Sequence, residues 1–366
     1  MAPDNAELRN TAARLAATGK GLLASDESIG TIGKRFEKAG IANTEENRRR
    51  YRENFYTAPL GHSISGVILF KEALGQAASN GTSFVQYLNK QGVLAGVKVD
   101  EVQLQIGLTA FNSEETVTNG LEHLEANCHT YYRQGARFTK WRAALKVSDS
   151  LPSTAAAEAN ALQLAQYAAI SQACNLVPIV EPEVLIDGDH TMARFAEASE
   201  QVIACCVKCL KQQGVCLEAC LLKLQMIIPG VACTAPQPTT QQIAKQTFEV
   251  MQRTVPAQIP GVVFLSGGQT EEEATVNLNA INLYAQEQQH KGWSLSFSFG
   301  RGLQASVMSI WTKDQSKTAE ARAMAAALAA VNAKACQGLY QPPHPSVLKE
   351  SLHESFRGWS AAKPPV

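Results

Sequence analysis

The sequence has no surplus of charge of either sign. Thirty-three basic residues stand against thirty-three acidic ones, for a formal net charge of zero. That argues against a broad nucleic-acid or membrane surface and leaves room only for a local basic pocket. No apolar run is long enough to span a bilayer. Met1-Ala2-Pro3-Asp4-Asn5-Ala6-Glu7 lacks the basic start and apolar stretch of a secretory signal, and it is too short and acidic for a transit peptide. Lys363-Pro364-Pro365-Val366 matches no retention or peroxisomal signal. A cytoplasmic location is the expectation, with an organellar one left open.

Cysteine is present, but without the marks of a disulfide framework. There are nine, an odd number, and they read as reduced thiols. Cys206-x-x-Cys209 followed by Cys216-x-x-x-Cys220 has the look of a metal site, together with Cys205. The first group falls in a helical stretch from Ala196 to Leu210, however, and Cys220 in a strand-like run. No glycine turn surrounds the first pair as a zinc knuckle requires, so these cysteines read as small hydrophobes and no metal is expected. The seven histidines show no ligand spacing either. No G-x-G-x-x-G follows the first apolar run, which removes the main signal for a dinucleotide fold. No Pro/Gly/Ser-rich linker divides the chain.

What is present is a beat. Eight apolar runs of strand length recur, most of them ending in a polar or charged group: 21–26, 64–70, 93–100, 136–142, 176–183, 219–226, 262–268 and 295–301. Helical stretches lie between them. Asn43 or Thr44 precedes 45–56, Ser153 or Thr154 precedes an Ala-rich stretch to Ala173, Thr270 with Glu273 forms a capping box, and Thr318 to Ala335 is a strong helix former. Strand alternating with helix argues parallel βαβ units. Lys98, Lys140, Glu181, Lys223 and Ser266 follow one another at 42, 41, 42 and 43 residues, one unit per residue. A chain of 366 residues holds eight such units, and the spacing predicts an α/β fold of the (β/α)8 TIM-barrel class, a single domain. In such a barrel every polar strand end lies at the C-terminal mouth, where active sites form. An open doubly wound sheet is the alternative. The expected division is a barrel over residues 1–340 and a tail over 341–366, the latter rich in proline and without period.

The organising residue is Lys223, in Leu221-Leu222-Lys223. An isolated lysine in that setting ordinarily ends a strand with its ammonium in water. Buried, it would lose charge more readily and could attack a carbonyl to form a Schiff base. Strand alternation points Lys140 and Arg142 the same way, and Glu181 and Glu183 likewise. The sequence therefore places two cations and two acids around one lysine. Lys140 near Lys223 is expected to disfavour the charged form of one of them, and Glu181 or Glu183 to move protons. Asp26 supplies a carboxylate suited to a substrate hydroxyl. Ser266-Gly267-Gly268 offers backbone N–H groups to a phosphate, Arg301 a bidentate grip, and Lys98 a second anion site across the mouth.

These residues resemble the class I fructose-1,6-bisphosphate aldolase family over nearly the whole chain. The resemblance rests on Gly19 to Ser28, Asn43 to Arg49, Ser65 to Phe70, Phe138 to Arg142, Val177 to Glu183, Leu221-Leu222-Lys223, Phe264 to Gln269 and Phe297-Ser298-Phe299-Gly300-Arg301. It implies metal-independent cleavage of a phosphorylated sugar through a Schiff base on Lys223, with no cofactor. It also implies Glu181 as acid/base, Asp26 at the hydroxyl deprotonated during carbon–carbon cleavage, and Lys140, Arg142 and Glu183 stabilising charge and orienting substrate. Ser266, Gly267, Gly268, Ser298, Gly300 and Arg301 resemble one phosphate site, Lys98 and Ser28 the other end. A homotetramer is the implied assembly, with neither nucleic acid nor membrane as partner. Two rival readings are an aldolase fold kept for binding or scaffolding, and another Schiff-base barrel enzyme such as a transaldolase. The departures are Leu224-Gln225 where the family usually has Pro-Asn, Thr31 for a common serine, an altered stretch from Glu101 to Glu114, and no tyrosine after Tyr340 where the family ends in one. His344 and His353 are the imidazoles that could stand in for that phenol.

Overall fold

The apolar runs become strands in chain order, and the computed structural model describes residues 5–101, 103–105, 114–349, 351 and 353 of the chain. The strands are β1 (Gly21–Ser25), β2 (Ile64–Leu69), β3 (Leu94–Lys98), β4 (Gln103–Gln105), β5 (Thr116–Thr118), β6 (Phe138–Leu145), β7 (Val177–Val184), β8 (Leu221–Leu224), β9 (Gly261–Phe264) and β10 (Ser294–Phe299). Eight of them close into a barrel in the order β1-β10-β9-β8-β7-β6-β3-β2, every neighbouring pair parallel. Because β1 pairs with both β2 and β10, the sheet has no edge, and the open doubly wound alternative is excluded. β4 and β5 form a small antiparallel ribbon that sequence reading did not anticipate. The Phe111-Asn112-Ser113 departure lies outside the described residues.

Alternation along each strand separates two cores. Leu22, Ala24, Ile68, Leu94, Phe138, Val177, Ile179, Leu221 and Val263 point inward. Their neighbours Leu23, Val67, Trp141, Val180, Leu222 and Phe297 face the surrounding helices. The Trp141 ring, for example, stacks on Tyr167 with ring centroids 5.4 Å apart. Helix Asn5–Leu15 stops the lower end of the barrel, sending Leu8, Ala12 and Leu15 into the inner cluster. Phe138 fills the interior because Gly96 faces it. A Cβ on Gly96 would lie 2.2 Å from the ring, so no other residue fits there. The next inward residue on that strand is Lys140, which therefore stands on a packed apolar floor.

The helix starts follow their signals. Thr44 caps Glu45–Tyr56, Ser153 caps Thr154–Ala173, and Thr270 with Glu273 completes the box at Glu271–Glu287. The helix read as Ala196 to Leu210 runs further, Met192–Gln212, and Cys220 sits immediately before β8 rather than in it. All nine cysteines are unpaired. Among the described residues no group of three His, Cys, Asp or Glu side chains is placed to hold a metal ion, and no helix is long and apolar enough to cross a membrane.

The described part of the tail lies on the barrel. Ser346 donates to the buried Glu271 carboxylate at 2.6 Å, and Val347 N–H donates to Ser306 Oγ at 3.0 Å. Glu271 also accepts from Ser306 N–H at 3.0 Å, so one carboxylate joins two helices and the tail. His344 is held at both ring nitrogens, by Thr275 at 3.1 Å and by the Ser346 N–H at 3.1 Å. Service as a stand-in acid would meet that obstacle: both ring positions are already engaged.

Candidate active site

The inward parity that builds the floor also builds the site above it. Leu22 and Ala24 lead to Asp26, Leu94 and Gly96 to Lys98, Phe138 to Lys140 and Arg142, Val177 and Ile179 to Glu181 and Glu183, and Leu221 to Lys223. Register brings them level: Lys98 pairs with Lys140, and Arg142 with Glu181. Glu181, Lys140 and Lys223 are only 2%, 4% and 5% exposed. Charges so buried must be paired. Glu181 lies 3.0 Å from Lys223 Nζ through Oε1 and 2.7 Å from Lys140 Nζ through Oε2. Lys140 reaches Asp26 at 3.1 Å as well. Arg142 pairs with Glu183 one layer further out.

The electrostatics follow from this chain of alternating signs. Burial pushes the Asp26 carboxyl up, but Lys140, Lys223 and Lys98 outweigh it and hold the group well below the usual carboxylate range. Burial likewise opposes ionisation of Glu181, and Lys140, Lys223 and Arg142 overcome it and lower its value. Burial disfavours the Lys140 ammonium, yet Asp26, Glu181 and Asp100 raise its value above the ordinary one. The like-charge expectation left open which lysine would lose its charge, and Lys140 is not the one. Two carboxylates, not the neighbouring lysine, dominate its surroundings and keep it charged.

The second group of candidates gathers where the chain leaves β9 and β10. Ser266 to Gln269 is a β-turn, closed by Gln269 N–H to Ser266 O at 3.3 Å, with Gly268 at φ +79°. A Cβ on Gly268 would lie 2.1 Å from Ile186 Cδ1, so space as well as backbone angle requires glycine. Gly300 precedes helix Arg301–Lys313, and the Gly302 N–H donates to Ser266 Oγ at 3.1 Å, tying this helix to the turn. Arg301 Nη2 comes within 3.7 Å of where a Gly267 Cβ would stand. Ser298 is buried on the inward face of β10, and its hydroxyl has no hydrogen-bond partner among the described residues. Ser28 follows Asp26 by two residues, but its hydroxyl caps helix Ile29–Lys38, accepting from Thr31 N–H at 3.2 Å.

A model of the family described as fructose-bisphosphate aldolase class-I matches residues 7–357. The chain belongs to the class-I fructose-bisphosphate aldolase family. Among its relatives is fructose-bisphosphate aldolase 4, cytosolic, of Arabidopsis thaliana, 47% identical over 92% of this chain and 84% of that protein. The fructose-bisphosphate aldolase of Echinococcus multilocularis is 47% identical over 92% of this chain and 91% of its own. A solved fructose-bisphosphate aldolase from Plasmodium falciparum, in complex with TRAP and a small-molecule inhibitor, superposes with a TM-score of 0.89 at 42% identity, covering 93% of this chain and 98% of that one. Membership makes the chain a carbon–carbon lyase acting on a sugar phosphate.

Within this aldolase, sequence reading missed three residues that hold the site together. Asp100 takes Lys98 Nζ at 3.2 Å and the Arg142 N–H at 3.2 Å. The alternation that singled out Lys140 with Arg142 also singles out Lys98 with Asp100, so the signal was present. Gln225 is the inward residue after Lys223 and donates to the Gly267 carbonyl at 2.9 Å. Glu271 opens its helix as one of three consecutive glutamates, and nothing in Glu271-Glu272-Glu273 tells which of them is buried.

Proposed function

We propose that this aldolase cleaves fructose 1,6-bisphosphate reversibly to dihydroxyacetone phosphate and glyceraldehyde 3-phosphate through a Schiff base on Lys223. The observation that carries the reading is Glu181, buried and in contact with Lys223 through one oxygen and Lys140 through the other. The Lys223 amine attacks the ketone carbon. Glu181 is placed to take a proton from that nitrogen and to return one to the carbinolamine hydroxyl, which leaves as water. The resulting protonated imine accepts the electron pair of the carbon–carbon bond. Asp26, ionised because Lys140 holds it so, takes the proton of the substrate hydroxyl as that bond breaks and the aldehyde departs. The enamine left on Lys223 is then protonated at carbon, and water releases the ketose phosphate. Lys140 stays charged throughout and stabilises the developing oxyanion. Arg142, with Glu183 holding its guanidinium, orients the substrate.

Ser266, Gly267, Gly268, Ser298, Gly300 and Arg301 form one phosphate site; loops after the last two barrel strands are the usual place for one. Lys98 with Ser28 serves the other phosphate, and Asp100 steadies Lys98. The barrel of residues 1–340 carries the chemistry, with 341–366 as a tail. The cytosolic setting of the Arabidopsis relative and a homotetrameric assembly are the readings we adopt for this chain. A scaffold that kept the fold alone would have no need of the alternating charges Asp26, Lys140, Glu181 and Lys223 at the mouth of the barrel.

Borohydride reduction in the presence of dihydroxyacetone phosphate tests the proposal. One ligand mass on Lys223 is expected. Label on Lys140 or Lys98, or none, refutes it. Turnover should persist in EDTA, and loss of activity restored by zinc would place the chemistry in the metal-dependent class.

A further inference from the structure

We propose that Gln225 is a positioning residue for the phosphate loop: it anchors the Gly267 carbonyl and so keeps the Gly268 N–H turned toward the anion. The proposal rests on the reading of Ser266–Gly268 with Arg301 as a phosphate site. Gln225 lies two residues past Lys223, on the same side of the chain, and is buried. Its Nε2 donates to Gly267 O at 2.9 Å. A carbonyl only accepts, so this bond also fixes which end of the amide faces the loop. The Gln225 Oε1, left behind, is buried with no hydrogen-bond partner among the described residues.

The turn explains what that bond controls. Ser266 to Gln269 has its hydrogen bond closed at 3.3 Å, and its third residue, Gly268, sits at φ +79°. That is the type II pattern, and it differs from type I by a flip of the central peptide, here the one joining Gly267 to Gly268. A peptide between two glycines meets little steric resistance to such a flip. In a trans peptide the carbonyl and the following N–H point in opposite directions. Tethering the Gly267 oxygen to Gln225 therefore aims the Gly268 N–H away from β8. Without the tether the flip would present a carbonyl oxygen where an anion must bind. Arg301 Nη2 and Gln225 Nε2 stand 3.7 and 3.6 Å from the same point, the position of a Gly267 Cβ, so the tether and the guanidinium flank one peptide. Gln225 also occupies one of the positions at which this chain departs from its family, a longer amide where asparagine is usual.

The test compares two ketones that share the Schiff-base carbon and differ in phosphate. Borohydride capture at Lys223 is titrated with dihydroxyacetone phosphate and with dihydroxyacetone, for the unaltered protein, Gln225→Leu and Gln225→Glu. Both variants should weaken capture of the phosphorylated ketone at least fivefold more than capture of the other, Gln225→Glu the more severely because it sets a carboxylate beside the anion. Gln225→Asn, shorter but still an amide, should recover part of the loss. KM for the bisphosphate should rise by a larger factor than kcat falls. An equal loss for both ketones, or none for either, overturns the proposal and leaves the Schiff-base reading intact. Failure of the unaltered protein to be captured at Lys223 overturns the Schiff-base reading itself.

Discussion

Replacing Lys140 with methionine keeps the reach of the side chain and removes the cation that touches both Asp26 and Glu181. Glu181 still has Lys223 at 3.0 Å, while Asp26 loses its direct partner. Removing one member of a buried ion pair costs about 3–5 kcal/mol. Lys223 and Lys98 still act on Asp26, so the lower end, about 3 kcal/mol, is the expected loss. For a chain of 366 residues at about 2.1 cal/mol/K per residue, that lowers the melting midpoint by about 4 °C. The pH dependence separates charge from packing. Asp26 and Glu181 both have folded values below the ordinary carboxylate ones. Their contribution is therefore present above the unfolded pKa of about 4 and is lost as pH falls through the folded values. Lys140→Met removes that contribution, so its deficit against the unaltered protein should be full at pH 7, hold down to about pH 4, and be narrower at about pH 2. Denaturant unfolding of both proteins at these pH values measures it, beside a coupled aldolase assay in which the variant should be severely impaired. A deficit that does not change with pH would mean Lys140 acts by filling space. The account of the buried charge chain would then be wrong, even if activity is lost.

Arg301→Ala should raise KM for fructose 1,6-bisphosphate by about 10- to 150-fold, the worth of a charge-assisted grip at roughly 1.5–3 kcal/mol; steady-state kinetics showing an unchanged KM would mean the guanidinium does not hold phosphate. Deleting residues 342–366 takes Ser346 from Glu271 and His344 from Thr275, so thermal unfolding should show a loss of about 1–3 kcal/mol, whereas stopping the chain after Lys349 should not. In both cases turnover should change less than about threefold, under 1 kcal/mol on the barrier. A tenfold fall in turnover, with enamine formation intact by direct oxidation, would show that the tail protonates carbon, and His353→Ala would then test its remaining imidazole.

The barrel was legible because its strands carry their burial in their composition. Each run is apolar on both faces, as a strand buried on two sides must be, and ends in the residue that reaches the mouth. The inner site was legible for the same reason: Lys140 with Arg142 and Glu181 with Glu183 need only the two-residue period. Contacts that depend on loops were not. The β4–β5 ribbon is made of three-residue strands, too short to show a period. The Ser266–Gly302 link, the Gln225 tether and the Glu271 hub join segments far apart in sequence, and one polar residue among several carries no local mark of which will be buried. Which of Lys140 and Lys223 keeps its charge was left open by the sequence, because the two acids that enclose Lys140 are brought to it only by the closed barrel.

Helix Asn5–Leu15 and strand β1 leave a ribosome before every other strand of the barrel and are the last to find all their neighbours. β1 can take β2 early, but its other partner, β10, is made after every other strand of the barrel. The helix can rest on Leu22 and Ile68 early, but the inner cluster it covers is complete only once Ile179, Leu221 and Val263 are in place. Translation of this protein therefore carries an open strand edge and an unseated plug until Phe299 is free, and only then can the ring shut. The interval is long and the exposed edge is apolar, the condition in which a folding chain is prone to aggregate. The closure that leaves the finished barrel without an edge is what makes its synthesis hazardous.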